Sequence, residues 1–242
     1  MSFELNGRVC VVTGADEGVG RGIVEGFIQR GAKVAAGLYH AKSPVPEGAL
    51  PIVMDVTQRE QIAAAFQKVI ETFGRIDVLI NNAGIYPRKR ADEMSPEEWL
   101  EVMETNLHGT WRCCHEAIPY LKQSRGRIIN VGSITLRLGF ADLSHYMASK
   151  GGVLGLTRGL ARDLGGHGIR VNCVNLGAVQ TEGEKKLFPD QSAVLELVEG
   201  NQCLKGRMTP QTVEPVFAFL ASDLSNDITG QCLTVDRGWS HE

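Results

Sequence analysis

The chain has 242 residues, 43% of them hydrophobic and 22% charged, with a net charge of −3. That balance fits an ordinary globular protein; it gives no field to collect nucleic acid, and no apolar run reaches the roughly 20 residues that span a bilayer. Six cysteines stand without the CxxC spacing of a zinc site, so no metal is expected, and the opening MSFELNGRVC lacks the pattern of an export signal, which points to the cytoplasm. The one basic cluster, Arg88-Lys89-Arg90, is followed by Asp92 and Glu93.

In chain order, RVCVV is a strand that runs into the glycine-rich turn from Thr13 to Gly20, and GIVEGFIQR after it has a helical pattern. KVAAGLY and LPIVM are the next strands, and the ten residues His40 to Ala49 between them, with two prolines and a glycine, leave no room for a crossover helix. Thr57 with Glu60 reads as a capping box opening a helix whose Ile62, Phe66, Val69, Ile70 and Phe73 share one face and which Gly74 closes. DVLIN follows and ends in Asn81-Asn82-Ala83-Gly84. Ser95, Pro96 and Glu98 then make a second helix start. GRIINV, IRVNCV and CLTV complete the strands, and Val179 to Met208 is the least patterned stretch, read as a mobile substrate loop. Alternating strands and helices predict one domain over 1–242, an α/β doubly wound parallel sheet of about seven strands with helices on both faces.

A glycine-rich turn between the first strand and a helix lets backbone approach a pyrophosphate at the helix N-terminus. TGADEGVG with glycines at Gly14, Gly18 and Gly20, then NNAG, then Tyr146 and Lys150 in a YxxxK pair, resemble the short-chain dehydrogenase/reductase family, and the likeness covers essentially the whole chain. It implies a Rossmann fold, NAD(P) as cofactor, and a homotetramer or homodimer with a small-molecule alcohol or ketone as partner. It places the catalytic roles on Asn106, Ser133, Tyr146 and Lys150. The implied cofactor contacts are Gly14, Asp16, Glu17, Gly18, Val19, Gly20, Leu38, Asp55, Val56, Asn82, Ala83, Gly84, Gly177, Val179 and Thr181, with Tyr146 and Lys150.

Four residues apart on a helix, Tyr146 and Lys150 lie one turn from each other. A fixed ammonium there, with the positive nicotinamide of the oxidised cofactor, would pull the tyrosine, with its ordinary pKa near 10, towards phenolate. Ser133 would donate to the substrate oxygen, and by the resemblance Asn106 would kink its helix and seat a water joining Lys150 to solvent. His108, His115 and His167 have no nucleophile to serve; His145 stands beside Tyr146 as a possible pocket residue. The expected pocket is Tyr86, Arg88, Leu136, Phe140, His145 and Leu176 to Phe188.

The departures from the family pattern bear on specificity. Leu38, followed by Tyr39 and His40, stands where NAD-using relatives carry an aspartate, yet Asp16 and Glu17 would repel the 2′-phosphate of NADP, with His40 or Lys42 in partial compensation; the lean is to NAD(H). Leu176-Gly177 replaces the usual Pro-Gly, which would free the chain there, and Arg237 interrupts the usual VDGG. The expected activity is interconversion of a hydrophobic secondary alcohol and a ketone. Alternatives are a 3-oxoacyl-carrier-protein reductase using a basic surface at Arg88 and Arg125, a sugar or polyol dehydrogenase, and, more remotely, a non-catalytic nucleotide-sensing protein.

Overall fold

A computed structural model describes residues 3–241. Seven parallel strands form one sheet in the order β3-β2-β1-β4-β5-β6-β7, with β1 at Val9–Val12, β2 at Lys33–Leu38, β3 at Leu50–Val53, β4 at Val78–Asn81, β5 at Arg127–Ser133, β6 at Arg170–Leu176 and β7 at Cys232–Val235. Each expected strand forms, and β1, β4, β5 and β6 are buried along their whole length, as strands covered on both faces must be. Side chains alternate between two cores. Cys10 and Val12 face α1 (Gly18–Gln29) and α9 (Pro210–Ala221), whereas Val9 and Val11 face α2 (Arg59–Phe73), α4 (Gly109–Ser124) and α6 (Ser144–Leu164).

The strand order reverses between β1 and β4, which opens a crevice at their C-terminal ends, the place where open α/β sheets bind ligands. No helix joins β2 to β3, as the shortness of His40 to Ala49 requires. Among the described residues no helix is long and apolar enough to cross a membrane.

Local signals fared unequally. At α3 (Pro96–Met103) the capping box is present, with Glu98 N–H donating to Ser95 Oγ at 3.2 Å and Ser95 N–H to Glu98 Oε2 at 2.8 Å. Gly74 closes α2 in the left-handed region at φ 78°. The Thr57–Glu60 box does not form. Gln58 is the N-cap of α2, and Thr57 instead donates its N–H and hydroxyl to Asp55, both at 2.8 Å, because an aspartate two residues upstream offers a tighter local turn. The expected loop from 179 to 208 is also corrected: it holds two helices, α7 (Glu182–Leu187) and α8 (Gln191–Asn201), capped by Thr181 and Asp190.

Candidate active site

The cofactor end is built by two turns that clasp each other. Thr13 Oγ1 accepts the N–H groups of Asn82 and Ala83, each at 3.0 Å, while Asn82 Nδ2 donates to the carbonyls of Thr13 (3.1 Å) and Gly14 (2.8 Å). A Cβ on Gly14 would lie 2.7 Å from Ala83 Cα, and one on Gly20 would lie 2.1 Å from the Gly14 carbonyl oxygen. Both glycines are therefore demanded by chain packing before any phosphate arrives. α1 starts at Gly18 with no side-chain cap on Glu17 and no acid in its first turn, so its leading N–H groups and positive dipole end remain available to an anion. The pyrophosphate of NAD(P) fits this cradle.

At the adenosine end, Leu38 is buried as the last residue of β2 and Tyr39 is exposed. The carboxylate of Asp16 accepts the Tyr39 N–H, at 3.0 Å and 3.2 Å to its two oxygens, which fixes an acid beside the end of β2. Glu17 reaches Lys186 of α7 at 3.4 Å. Asp55 lies two residues beyond β3, turned onto Thr57, with Val56 buried next to it against Gly109. Val19, Asn82, Gly84, Gly177, Val179 and Thr181 line the cleft itself.

The four expected catalytic residues come from separate elements. Ser133 ends β5 and is buried, its Oγ accepting the N–H (3.2 Å) and hydroxyl (3.0 Å) of Thr135. Tyr146 and Lys150 are on α6, with Lys150 Nζ 5.7 Å from the Tyr146 ring centre and donating to the Val131 carbonyl at 2.7 Å. Burial pushes the Tyr146 hydroxyl up to about 12, with a hydrogen bond from Ser133 acting in the opposite direction. Burial also pushes Lys150 down to about 8. Desolvation is the larger influence on Tyr146 and favours its phenol, the form that donates a proton, against the pull towards phenolate expected from Lys150 together with the oxidised nicotinamide.

Asn106 sits in a π-helical turn, Glu104–His108, that joins α3 to α4, so the expected kink is present. Its side chain is committed to Ile85 and Ser149: Oδ1 accepts the Ile85 N–H at 2.8 Å, and Nδ2 donates to the Ile85 carbonyl (2.8 Å) and Ser149 Oγ (3.1 Å). The Asn106 carbonyl accepts Thr110 Oγ1 at 2.7 Å. Asn106 therefore braces the segment after NNAG against α6, a positioning role the sequence reading, with its seat for water, did not include.

The family described as enoyl-(acyl carrier protein) reductase matches residues 14–240. A 3-oxoacyl-[acyl-carrier-protein] reductase of Thermotoga maritima is 38% identical over 98% of this chain and 99% of its own. A D-xylose 1-dehydrogenase of Caulobacter vibrioides is 35% identical over 97% and 96%. The chain belongs to the short-chain dehydrogenase/reductase family. It is an oxidoreductase. Among solved structures, a putative gluconate dehydrogenase from Agrobacterium tumefaciens superposes with a TM-score of 0.92 at 30% identity, covering 99% of both chains.

Within this short-chain dehydrogenase/reductase the substrate side is a cleft of about 440 Å³. Tyr86, Arg88, Phe140, Leu176 to Val179, Thr181, Glu184, Leu187 and Phe188 line it as expected. Of the other expected members, Gln180, Glu182, Gly183, Lys185 and Lys186 stay outside it, and so do His145 and Leu136. His145 is fully buried on the inner side of α6, and Leu136 lines a separate cleft with Arg158 and Cys232. The helical period explains His145: one residue from Tyr146 is about 100° away around the helix, so both cannot face the pocket. Leu143, Val194, Leu197, Val198 and Trp239 were missed. The i, i+3, i+4 spacing of Val194, Leu197 and Val198 is an amphipathic signal that was available; for Trp239 the sequence carries none.

The walls are mostly aromatic and aliphatic, with the Arg88 guanidinium 5.3 Å over the Phe188 ring at the rim and Tyr86 edge-on to Tyr146 at 6.1 Å. α7 is held down by a nearly buried ion pair between Glu184 and Arg207. Replacement of the usual proline does not free the chain at Leu176: that residue stays in β6, opposite Ser133 and Val235, and Gly177 N–H donates to the Val235 carbonyl at 2.9 Å. Arg237, in the place of a family glycine, adopts φ 57°. The basic surface expected at Arg88 and Arg125 is also corrected, because Arg125 precedes β5 whereas the pocket lies beyond its far end at Ser133, about 20 Å of strand away.

Proposed function

We propose that this enzyme interconverts a secondary alcohol and a ketone with Tyr146 as general acid and base. The observation that carries the reading is the convergence of Ser133, Tyr146 and Lys150 from β5 and α6 on the floor of one cleft next to the NNAG turn. NAD(P), when bound, supplies or accepts the hydride. In reduction the Tyr146 hydroxyl gives its proton to the ketone oxygen, Ser133 orients that oxygen by a hydrogen bond, and buried Lys150 holds positive charge beside the phenol to ease its ionisation. Asn106 keeps the Ile85 segment and α6 in register.

The apolar walls support a substrate with a hydrophobic body. A 3-oxoacyl thioester is the second reading, favoured by the Thermotoga relative, and an acyl chain suits the same walls; only Arg88 of the two expected arginines is at the rim to receive an acidic carrier. A sugar or polyol, as in the Caulobacter relative's name, finds fewer polar partners. For the coenzyme, NAD(H) is favoured: the acid at Asp16 is anchored beside the adenosine end. Association into dimers or tetramers belongs to the same proposal, supported by exposed Trp99, Leu100 and Trp111 on α3 and α4.

The test is a panel of hydrophobic cyclic alcohols, aldoses and 3-oxoacyl thioesters, each with NAD(H) and NADP(H), scored by nicotinamide absorbance. The proposal expects the highest kcat/KM on a hydrophobic secondary alcohol or its ketone with NAD(H). A preference for aldoses, or collapse of thioester turnover in Arg88→Glu with small ketones inert, would replace it with the corresponding rival.

A further inference from the structure

Of the six cysteines, Cys10, Cys113, Cys114 and Cys173 are buried, Cys203 is exposed and Cys232 is partly exposed, all as free thiols. Two of them meet. Cys173 on β6 and Cys232 on β7 are directly opposite in the parallel register, and each thiol acts on the ionisation of the other. Neighbouring strands lie about 4.8 Å apart, inside the roughly 4.4–6.8 Å Cα separation that a disulfide bridges.

Their surroundings divide the labour. Cys232 opens into the second cleft, lined also by Leu136, Arg137, Leu154 and Arg158. The Cys173 hydrogen bond, followed by the positive charges of Arg137 and Arg158, holds its thiol below the ordinary range. Cys173 is buried behind it, and the hydrogen bond to Cys232 together with burial raises its thiol. Cys173 sits where a Cβ on Gly132, the residue before Ser133, would be 2.8 Å from its sulfur. Leu154 and Arg158 follow Lys150 at i+4 and i+8 on α6, so the thiol pair lies under the same helix face as the catalytic lysine. A partly exposed thiol with a lowered pKa, backed by a second cysteine directly opposite on the next strand, is the arrangement of an oxidation-sensitive dithiol.

We propose that Cys173 and Cys232 form a two-electron redox modification site for a hydroperoxide. The Cys232 thiolate attacks hydrogen peroxide, forming an S–O bond and releasing hydroxide, which takes up a proton as water. The Cys173 sulfur then attacks the Cys232 sulfur, the S–O bond breaks, and the hydroxyl leaves as water with the Cys173 proton. Two thiols are oxidised to one disulfide and one peroxide is reduced to two waters. Reduction by a dithiol reverses it.

The experiment uses the full chain carrying Cys203→Ser, which removes the exposed thiol, treated with hydrogen peroxide and mapped by peptide mass spectrometry without reductant. The expected result is the loss of two of the five remaining thiols, a Cys173–Cys232-linked peptide pair, and recovery of both thiols with dithiothreitol. Adding Cys232→Ser slows thiol loss at least tenfold, and adding Cys173→Ser leaves a sulfenic acid on Cys232 that dimedone traps. The parent protein gives the linkage readout without touching either strand, so a misfolded variant does not obscure it. Retention of all five thiols under peroxide that oxidises free cysteine overturns the proposal, as does dimedone labelling confined to Cys173.

Discussion

Tyr146 is kept protonated by its own burial, and the groups that would move its proton are Ser133 at its hydroxyl and Lys150 one helical turn on. Tyr146→Phe retains ring and packing and removes only that proton, so turnover should fall by about a hundred- to ten-thousand-fold while NAD(H) binding, followed by fluorescence titration, changes little. Asp16 sets the other residue-scale prediction. Charges about 6 Å apart interact by roughly 3 kcal/mol at an effective dielectric near 20, and screening at this partly exposed turn leaves about 1 kcal/mol. Asp16→Asn should therefore raise the NADP-to-NAD ratio of kcat/KM by about five- to tenfold. An unchanged ratio would remove Asp16 from coenzyme choice. Tyr146, Lys150 and Ser133 were legible because their types and spacing are dictated by chemistry; the balance of burial against charge at Tyr146 was not, since desolvation depends on which elements close over the ring.

At the scale of elements, α7 is tied to the body through its end, one nearly buried ion pair and the exposed Glu17–Lys186 pair. Thr181 caps it by accepting the Glu184 N–H at 3.1 Å, and Glu184 pairs with Arg207, both nearly buried. Arg207→Met leaves the Glu184 carboxylate without its cation, a change that costs about 3–5 kcal/mol when the charge stays buried, so α7 should release into water instead. Faster amide exchange across 181–189 and a raised KM are the expected signs, whereas Lys186→Ala, at an exposed pair, should shift stability by no more than about 0.5 kcal/mol. The sequence made this stretch look loop-like because α7 is only six residues long, too short for an apolar period to show. Its helicity comes from caps and from seating over the cleft.

For the whole molecule, acid stability should be governed first by His145. It is fully buried, neither ring nitrogen has a hydrogen-bond partner, and burial lowers its pKa despite the attraction of Glu98. The native state then holds this ring neutral while the unfolded chain, with a pKa near 6.5, takes up a proton. Stability is therefore full above about pH 6.5 and declines as pH falls towards the lower folded value, by at most about 1.4 kcal/mol per pH unit. Urea titrations between pH 7 and 5 should show that slope, and His145→Gln should flatten it. Below about pH 4.5 the paired carboxylates, such as Glu104 with Arg112 and His108, whose pKa is lowered by those partners, add their own loss.

The alternation of apolar runs determined the strands, the parallel sheet and the absence of a β2–β3 helix, because a strand buried on both faces and a ten-residue connection leave few alternatives. Motif chemistry pointed to the cofactor turn and to the proposed catalytic quartet for the same reason: few residue types can approach a phosphate or carry a proton. Only the tertiary structure decided that Asn106 spends its amide on Ile85, that His145 turns away from the pocket, that Arg125 lies at the wrong end of β5, and that Cys173 meets Cys232. Each of these depends on contacts between residues distant in the chain, and register, helix rotation and burial are properties of the packed molecule that no local pattern encodes.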